Sequence, residues 1–283
     1  MEYSNPQIPE GINTSKVHPL KDFAILTGGA LVLIGIVLFS LALLADWLAP
    51  KIPFSVEQRL TAMYTQTLAP TQNKILSTEE RMLKEYLQDL AERLAVAAEL
   101  PEGVSITVHY LDDDTVNAFA TLGGHIVMFR GLLEKLPNEN ALAMVMAHEI
   151  AHIKHRHPIK SLGRGAIFSL AFALVTGATE SDFLASFLGQ AGWLTGLKFS
   201  RSQEEEADAT ALAAVAARYG HVNGAADLFV VLEQEYSSLE PPALFNSHPH
   251  SGDRIAEITH IARRNGWNLN AKTTPLPQIV KQL

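Results

Sequence analysis

The sequence predicts an α+β domain, predominantly helical with a small β-sheet, preceded by one transmembrane helix. Three observations predict it. Residues 24–45 run AILTGGALVLIGIVLFSLALLA without a charge, about the length that crosses a hydrocarbon core as a helix. Val104, Ile106 and Val108 alternate with Ser105, Thr107 and His109, the period-two pattern of a half-buried strand. Most of the remaining chain carries helix-forming or helix-periodic residues, first among them the stretch around Ala147–His152.

Taken in order, residues 1–23 read as a tail, because Pro6, Pro9, Gly11 and Pro19 interrupt any regular pattern. Residues 24–46 are the membrane anchor: Asp22 and Asp46 bracket the apolar run and Trp47 suits the headgroup level. The competing reading is a cleaved signal peptide, but this run is longer than a usual signal core and begins after some two dozen mostly polar residues. Lys16 and Lys21 precede the span while Lys51 and Arg59 follow it, so the positive-inside rule barely discriminates between orientations. Residues 47–74 form a juxtamembrane segment, in which Ser55-Val56-Glu57-Gln58 has the form of a capping box opening a short helix that Pro70 ends.

Residues 75–283 are the expected main domain. A second capping box, Ser77-Thr78-Glu79-Glu80, opens a helix to about Leu100, with Leu83, Leu87, Leu90 and Leu94 as its core stripe. A strand over 104–111 follows, then a hairpin of Val116–Ala120 and His125–Phe129 joined through Leu122-Gly123-Gly124. The next helix is capped by Asn138 or Asn140 and stopped by Pro158. The apolar runs 166–176 and 183–198 are each short for a membrane span, and a buried helix pair is favoured over a shallow interfacial contact. A helix through the alanine-rich run to Arg218 stops at Gly220, two more helices are expected over 225–236 and 253–264, and Pro275 and Pro277 suggest an extended C-terminal tail.

Within the helix capped by Asn138 or Asn140, His148-Glu149-Ile150-Ala151-His152 carries the pattern H-E-x-x-H. Histidines four apart project from one helical face, so both imidazoles can reach one metal ion with Glu149 beside it. That is the layout of a zinc hydrolase, which also needs a third protein ligand and an open position for water. The stretch Phe199–Asp208 offers Glu204 and Asp208, again four apart. One carboxylate there can bind metal while the other accepts the spare N–H of a ligating imidazole. Glu205 and Glu206 point away from that face, and a Glu-rich run is otherwise an ordinary solvated helix surface. His155 and His157 read as exposed histidines at the helix end, favoured by its dipole, and Arg201 and Arg254 as possible ion-pair braces.

His148 to His152, then Ser200-Arg201-x-x-Glu204-x-x-Ala207-Asp208, then His248-Pro249 and Arg254-Ile255, together resemble the M48 peptidases. Asn117-Ala118-Phe119-Ala120 and Gly123-Gly124-His125-Ile126 also resemble the segment ahead of that family's zinc helix, and the similarity covers roughly residues 75–265. The resemblance implies a gluzincin-type zincin domain binding one zinc ion through His148, His152 and Glu204, with Glu149 as catalytic general base. Asp208 is expected to hold a ligand histidine in its tautomer. His248 is expected to stabilise the oxyanion or to occupy the open metal position in a latent state. By analogy with zincins, Gly124, His125, Ile126 and Val127 are nominated as an edge strand that grips substrate backbone.

The expected activity is therefore that of a membrane-anchored zinc endopeptidase of the single-anchor or periplasmic branch. Its domain would be extracytoplasmic, and its polypeptide substrates unfolded or membrane-associated, as in protein quality control. A metal-stabilised chaperone or adaptor that rarely cuts is the alternative from another class, and Glu149 argues against it because a structural zinc site needs no base. The net charge of −8 gives no footprint for nucleic acid. The absence of cysteine excludes a disulfide scaffold and a thiolate zinc site.

Overall fold

The computed structural model of the chain describes residues 18–62, 77–176, 198–236, 242–244, 248 and 254–283, with backbone alone for 168–176. Helix α1 spans Pro19–Leu48, no residue in it is buried, and it is long and apolar enough to cross a membrane. Pro19, read in the sequence as part of an irregular tail, opens this helix with His18 as its N-cap. A proline fits the first turn because its missing N–H would have no helical partner there. A 3-10 turn, Ala49–Lys51, leads to α2, Phe54–Ala62. Helix α2 starts one residue before the expected Ser55 cap, and Glu57 is buried rather than capping. The expected end at Pro70 lies outside the described residues.

Helix α3, Thr78–Ala97, has the predicted capping box between Ser77 and Glu80 and buries Leu83, Leu87, Leu90 and Leu94. Strands β1 (Thr107–Leu111), β2 (Ala118–Thr121) and β3 (His125–Phe129) form one sheet of order β1-β3-β2. The β2–β3 pairing is the predicted antiparallel hairpin, with Phe119 opposite Val127, while β1 joins β3 in parallel, with Val108 opposite Ile126. Gly124 makes the turn between β2 and β3 possible: its φ is +81°, and a Cβ there would lie 1.9 Å from the Ser105 carbonyl oxygen. Helix α2 covers this turn. Thr61 Oγ1 donates to the Leu122 carbonyl at 3.0 Å, and the Gly123 N–H donates to Glu57 Oε2 at 3.1 Å.

A short helix α4, Arg130–Leu133, precedes α5, Glu139–Lys154. Asn138 caps α5 by accepting from the Ala141 N–H, and Asn140 instead accepts from the Thr274 N–H. Every residue of α5 from Asn140 to Ile153 is buried, because α5 is packed by α3, by β2 and by α7, Arg201–Tyr219. A helix enclosed on all sides is the centre of the domain rather than a face of it. Helix α5 ends at Lys154, and Arg156 turns the chain with φ +59°. Pro158, expected to stop α5, lies instead in the first turn of α6, His157–Thr176, the position where its lack of an N–H costs nothing.

The alternatives left for the 166–176 run meet an arrangement that the sequence pattern does not contain: α6 packs along α1. The run 183–198 falls outside the described residues up to 197. Gly220 ends α7 in the left-handed conformation, as expected. Helices α8 (Asp227–Tyr236), α9 (Arg254–Arg264) and α10 (Gln278–Lys281) complete the described chain. The C-terminal segment is extended before α10 but does not trail free. Leu276 and Val280 are buried in the main core, and the Thr274 carbonyl accepts from the Glu139 N–H at the start of the central helix.

Candidate metal centre

Four donor atoms converge between α5, α7 and the segment at residue 248. Their identities are His148 Nε2, His152 Nε2, a Glu204 carboxylate oxygen and His248 Nδ1, on four buried residues. The two Nε2 atoms are 2.9 Å apart, Glu204 lies 3.3 Å from His148 Nε2 and 3.5 Å from His152 Nε2, and His248 Nδ1 is 3.2 Å from His148 Nε2. A tetrahedral ion with bonds of about 2.0–2.1 Å sets its donors about 3.3–3.4 Å apart. Both the donor types and their spacing thus fit a zinc-sized ion. Position 204 is delivered by a capping box, legible as Ser200-x-x-Gln203: Ser200 accepts from the Gln203 N–H while Gln203 Oε1 accepts from the Ser200 N–H. Glu204, the next residue, enters the first helical turn facing α5.

Each of the two α5 histidines is held from behind. His148 Nδ1 lies 2.8 Å from Asp208 Oδ1, so its N–H points at the carboxylate and its Nε2 lone pair at the centre. Asp208 is also paired with Arg254, whose guanidinium sits over the Phe229 ring at 4.7 Å. Of the two arginines read as possible braces, Arg254 is therefore buried in the site, whereas Arg201 makes only an exposed pair with Glu205. For His152 the support is His157. Its Nδ1 lies 2.9 Å from His152 Nδ1, and its Nε2 lies 3.1 Å from Glu206 Oε2. The consistent proton arrangement has His157 donating from Nε2 to Glu206 and accepting from the His152 Nδ1–H, which leaves the His152 Nε2 lone pair for metal.

The expectation that His155 and His157 are exposed is corrected for His157, which is wholly buried, while His155 is part-buried beside Glu206 and Thr210. The chain turn at Arg156 swings His157 back under His152, a placement that helical projection from α5 could not anticipate. Phe199 stacks on His152 with ring centroids 3.9 Å apart, closing the other side of that ligand.

Burial alone would raise the carboxyl of Glu204, but hydrogen bonds from His148 and His248 outweigh it and hold the group well below the ordinary carboxylate range. Asp208 is lowered in the same way, chiefly by the Arg254 and His148 charges acting against burial. The His148 ring is raised to about 9: burial and the Arg254 charge oppose its protonation, and Asp208 and Glu204 overcome both. Burial and the neighbouring His148 push His152 far down. The carboxylates are thus ionised and poised for a cation.

Glu149 differs from all of these. It is 1% exposed, and neither of its carboxylate oxygens has a hydrogen-bond partner among the described residues. His248 Nε2 lies 3.4 Å from its Oε1. A pocket opens here, walled by Met144, Val145, Phe229 and Leu244 and floored by His148, Glu149, His248 and Arg254. A buried carboxylate without a donor is costly, and this one faces the space where a reactant would stand.

The nominated edge strand does not fit the sheet. Gly124 precedes β3, and His125, Ile126 and Val127 belong to it. β3 pairs with β1 on one side and β2 on the other, so its N–H and C=O groups are already taken. The parallel return of β1 onto β3 is a long-range pairing that a hairpin signal does not reveal. The outer strand that packs against α5 is β2.

Residues 81–262 match the model of peptidase family M48. Among curated proteins, the chain is similar to the beta-barrel assembly-enhancing protease of Escherichia coli (strain K12). They are 32% identical over 200 residues, covering 65% of this chain and 39% of that protein. It is similar to the mitochondrial metalloendopeptidase OMA1 of Schizosaccharomyces pombe, at 33% over 153 residues, covering 53% and 45%. It is also similar to a protease HtpX homolog of Salinibacter ruber, at 31% over 210 residues, covering 63% and 75%. The chain thus spans about two fifths of the length of the assembly-enhancing protease.

Proposed function

The chain belongs to peptidase family M48, and on that premise we propose that it is a membrane-anchored zinc endopeptidase, with Glu149 as general base and His148, His152 and Glu204 as the metal ligands. The observation that carries this reading is the pair of Glu149 oxygens, which accept no hydrogen bond among the described residues, beside the four converging donors. A structural site closes its coordination and needs no such group. Zinc held there supplies Lewis acidity, acidifying water and polarising a peptide carbonyl. Glu149 takes the proton from the attacking water on a carboxylate oxygen and returns it to the departing amine. Asp208 and His157 keep the two imidazoles in the tautomers that present Nε2. The apolar pocket walls exclude bulk water, which strengthens every electrostatic contact inside.

His248 stands where a fourth ligand would stand, and this placement supports the latent-state role over the oxyanion role. In this reading the His248 ring would share the site with a bound zinc and would have to give way to water before turnover. Substrate backbone is assigned to the outer edge of β2, Ala118–Thr121, in place of β3. The similarity to a beta-barrel assembly-enhancing protease supports polypeptide substrates; that these are unfolded or membrane-associated, and that the domain is extracytoplasmic, is part of the same proposal.

The test is cleavage of casein by the detergent-purified chain, with zinc content measured in parallel, for wild type, Glu149→Gln and His248→Ala. The proposal expects one zinc per chain in all three, cleavage by wild type that chelation stops, none by Glu149→Gln, and faster cleavage by His248→Ala. Zinc bound by all three with cleavage by none would overturn the peptidase reading and favour a binding module. Cleavage by Glu149→Gln at the wild-type rate would remove Glu149 from the chemistry.

A further inference from the structure

Helix α6 leaves the metal-binding helix and climbs along α1. Ile159 and Leu162 pack with Ala49 and Ile52. One turn further, a Cβ on Gly163 would touch the Ala45 Cβ at 3.4 Å, and Arg164 Nη1 reaches Asp46 Oδ2 at 3.2 Å. As α6 numbers rise, the facing α1 numbers fall, so the two helices are antiparallel and α6 advances along the apolar length of α1. Beyond Arg164 the helix continues to Thr176 through AIFSLAFALVT, which holds no charge. Twelve residues at about 1.5 Å each carry it roughly 18 Å past the Asp46–Arg164 pair.

The pair lies in a polar belt. Trp47 carries Lys51 over its ring at 2.9 Å, an amphipathic arrangement suited to the headgroup level. Arg164 Nη2 also donates to Gln203 Oε1 at 2.7 Å, and Ser161 Oγ donates to the Lys198 carbonyl at 3.3 Å, so the chain is back at this level by residue 198. Above the belt, α1 displays Leu31, Val32, Phe39 and Leu43 without protein cover among the described residues.

We infer that α6 beyond Arg164 enters the bilayer beside α1, so that the catalytic domain grips the membrane through two antiparallel helices rather than hanging from one. The occupant of their apolar surface is lipid. This inference rests on the reading of α1 as a membrane helix. Its consequence is a metal centre fixed at the bilayer surface. Gln203, which Arg164 ties to Asp46, precedes the ligand Glu204 on α7, and the site therefore meets polypeptide at the level of the headgroups.

The chain has no cysteine, so single-cysteine variants of the full chain report one position each. Cysteines placed in turn at positions 166–176 are labelled with bimane in phosphatidylcholine vesicles and challenged with doxyl groups on the lipid chains or with iodide in the water. Val37→Cys in α1 and Val96→Cys on the exposed face of α3 are the references. The inference expects Val37→Cys and a helical-period subset of 166–176 to be quenched several-fold more by chain doxyl than by iodide, with Val96→Cys reversed. If Val37→Cys is quenched by lipid while no position from 166 to 176 is, the anchor stands and the inference is overturned. If Val37→Cys itself escapes the lipid quencher, the anchor reading fails and the inference falls with it.

Discussion

Removing the Glu57 carboxylate should loosen the joint between the juxtamembrane helix and the metal-binding helix. Glu57 is 3% exposed. Its Oε1 accepts from Arg156 Nε at 2.8 Å, and its Oε2 accepts from the Gly123 N–H at 3.1 Å. Arg156 in turn donates from Nη2 to the Ile52 carbonyl at 2.8 Å and holds φ +59° where α5 gives way to α6. Glu57→Ala leaves a guanidinium and a backbone N–H without their acceptor. Breaking a buried ion pair from one side costs about 3–5 kcal/mol. The Arg156 side chain is 14% exposed and keeps the Ile52 carbonyl, which places the expected loss near 3 kcal/mol. Urea unfolding of the detergent-solubilised chain, followed by far-UV circular dichroism, should show a midpoint lower by about 1 M at a slope of about 2–3 kcal/mol/M. Arg156→Met in the Glu57→Ala background should recover part of the loss, with a coupling of about 1–3 kcal/mol. Two single losses that simply add, or a Glu57→Ala loss under about 0.5 kcal/mol, would refute the reasoning that an uncompensated charge is the cause.

His157→Ala should weaken zinc affinity about 10–100-fold, measured by competition with a chromophoric chelator, with His157→Gln restoring part of it through its amide; unchanged affinity in both variants would remove the relay. Leu90, wholly buried on α3, should cost about 2–5 kcal/mol when cut to Ala. Val96→Ala on the exposed face of the same helix should stay within about 0.5 kcal/mol, and equal losses in urea would show the stripe misassigned. His109 is lowered to about 4, first by burial and then by the charge of His125, whose Nδ1 is 2.8 Å from its Nε2. Between the unfolded value of about 6.5 and pH 4 the unfolded chain binds a proton that the folded chain refuses, so stability is full above pH 6.5 and falls as pH drops toward 4. Allowing for the part of His109 still reached by solvent, the loss is about 2 kcal/mol between pH 7 and pH 4.5. Urea midpoints taken with chelator present should show it, and His109→Asn should flatten it.

What could be read in the sequence was local. H-E-x-x-H within a helix fixes the geometry of His148, Glu149 and His152, because an i,i+4 pair on one helix face needs no tertiary information. The same rule separates Glu204 and Asp208 from their acidic neighbours, and the Leu83–Leu94 stripe is another local periodicity. The misreadings share a different property. Pro158 carries the same residue type whether it ends α5 or opens α6, and only the turn at Arg156 decides between them. His157 was assigned to the surface because it was projected from the wrong helix. The expectation of a sheet edge at Gly124–Val127 meets a central strand instead, because a strand's position within a sheet depends on a partner distant in the chain, here β1. Neither apolar run, at 24–45 or at 166–176, states in its own residues that it lies beside the other.

The buried polar centre also explains why α5 must be the innermost helix. His148, Glu149, His152, Glu204, Asp208 and Arg254 are all at most 8% exposed, and a protein interior tolerates such a set only if each charge has its partner. Five of them satisfy this condition through one another: the two histidines and Glu204 around the shared centre, and Asp208 with Arg254 behind it. Glu149 has only the 3.4 Å approach of His248 Nε2, its oxygens accept no hydrogen bond among the described residues, and it faces a pocket walled in part by Met144, Val145, Phe229 and Leu244. A neutral residue of similar shape at position 149 would relieve that desolvation without disturbing the ligands. The carboxylate is therefore a local cost to the fold, which is what the proposed role of Glu149 as general base accounts for. Enclosing α5 between α3, α7 and β2 supplies the rigid surroundings in which such a cost can be held.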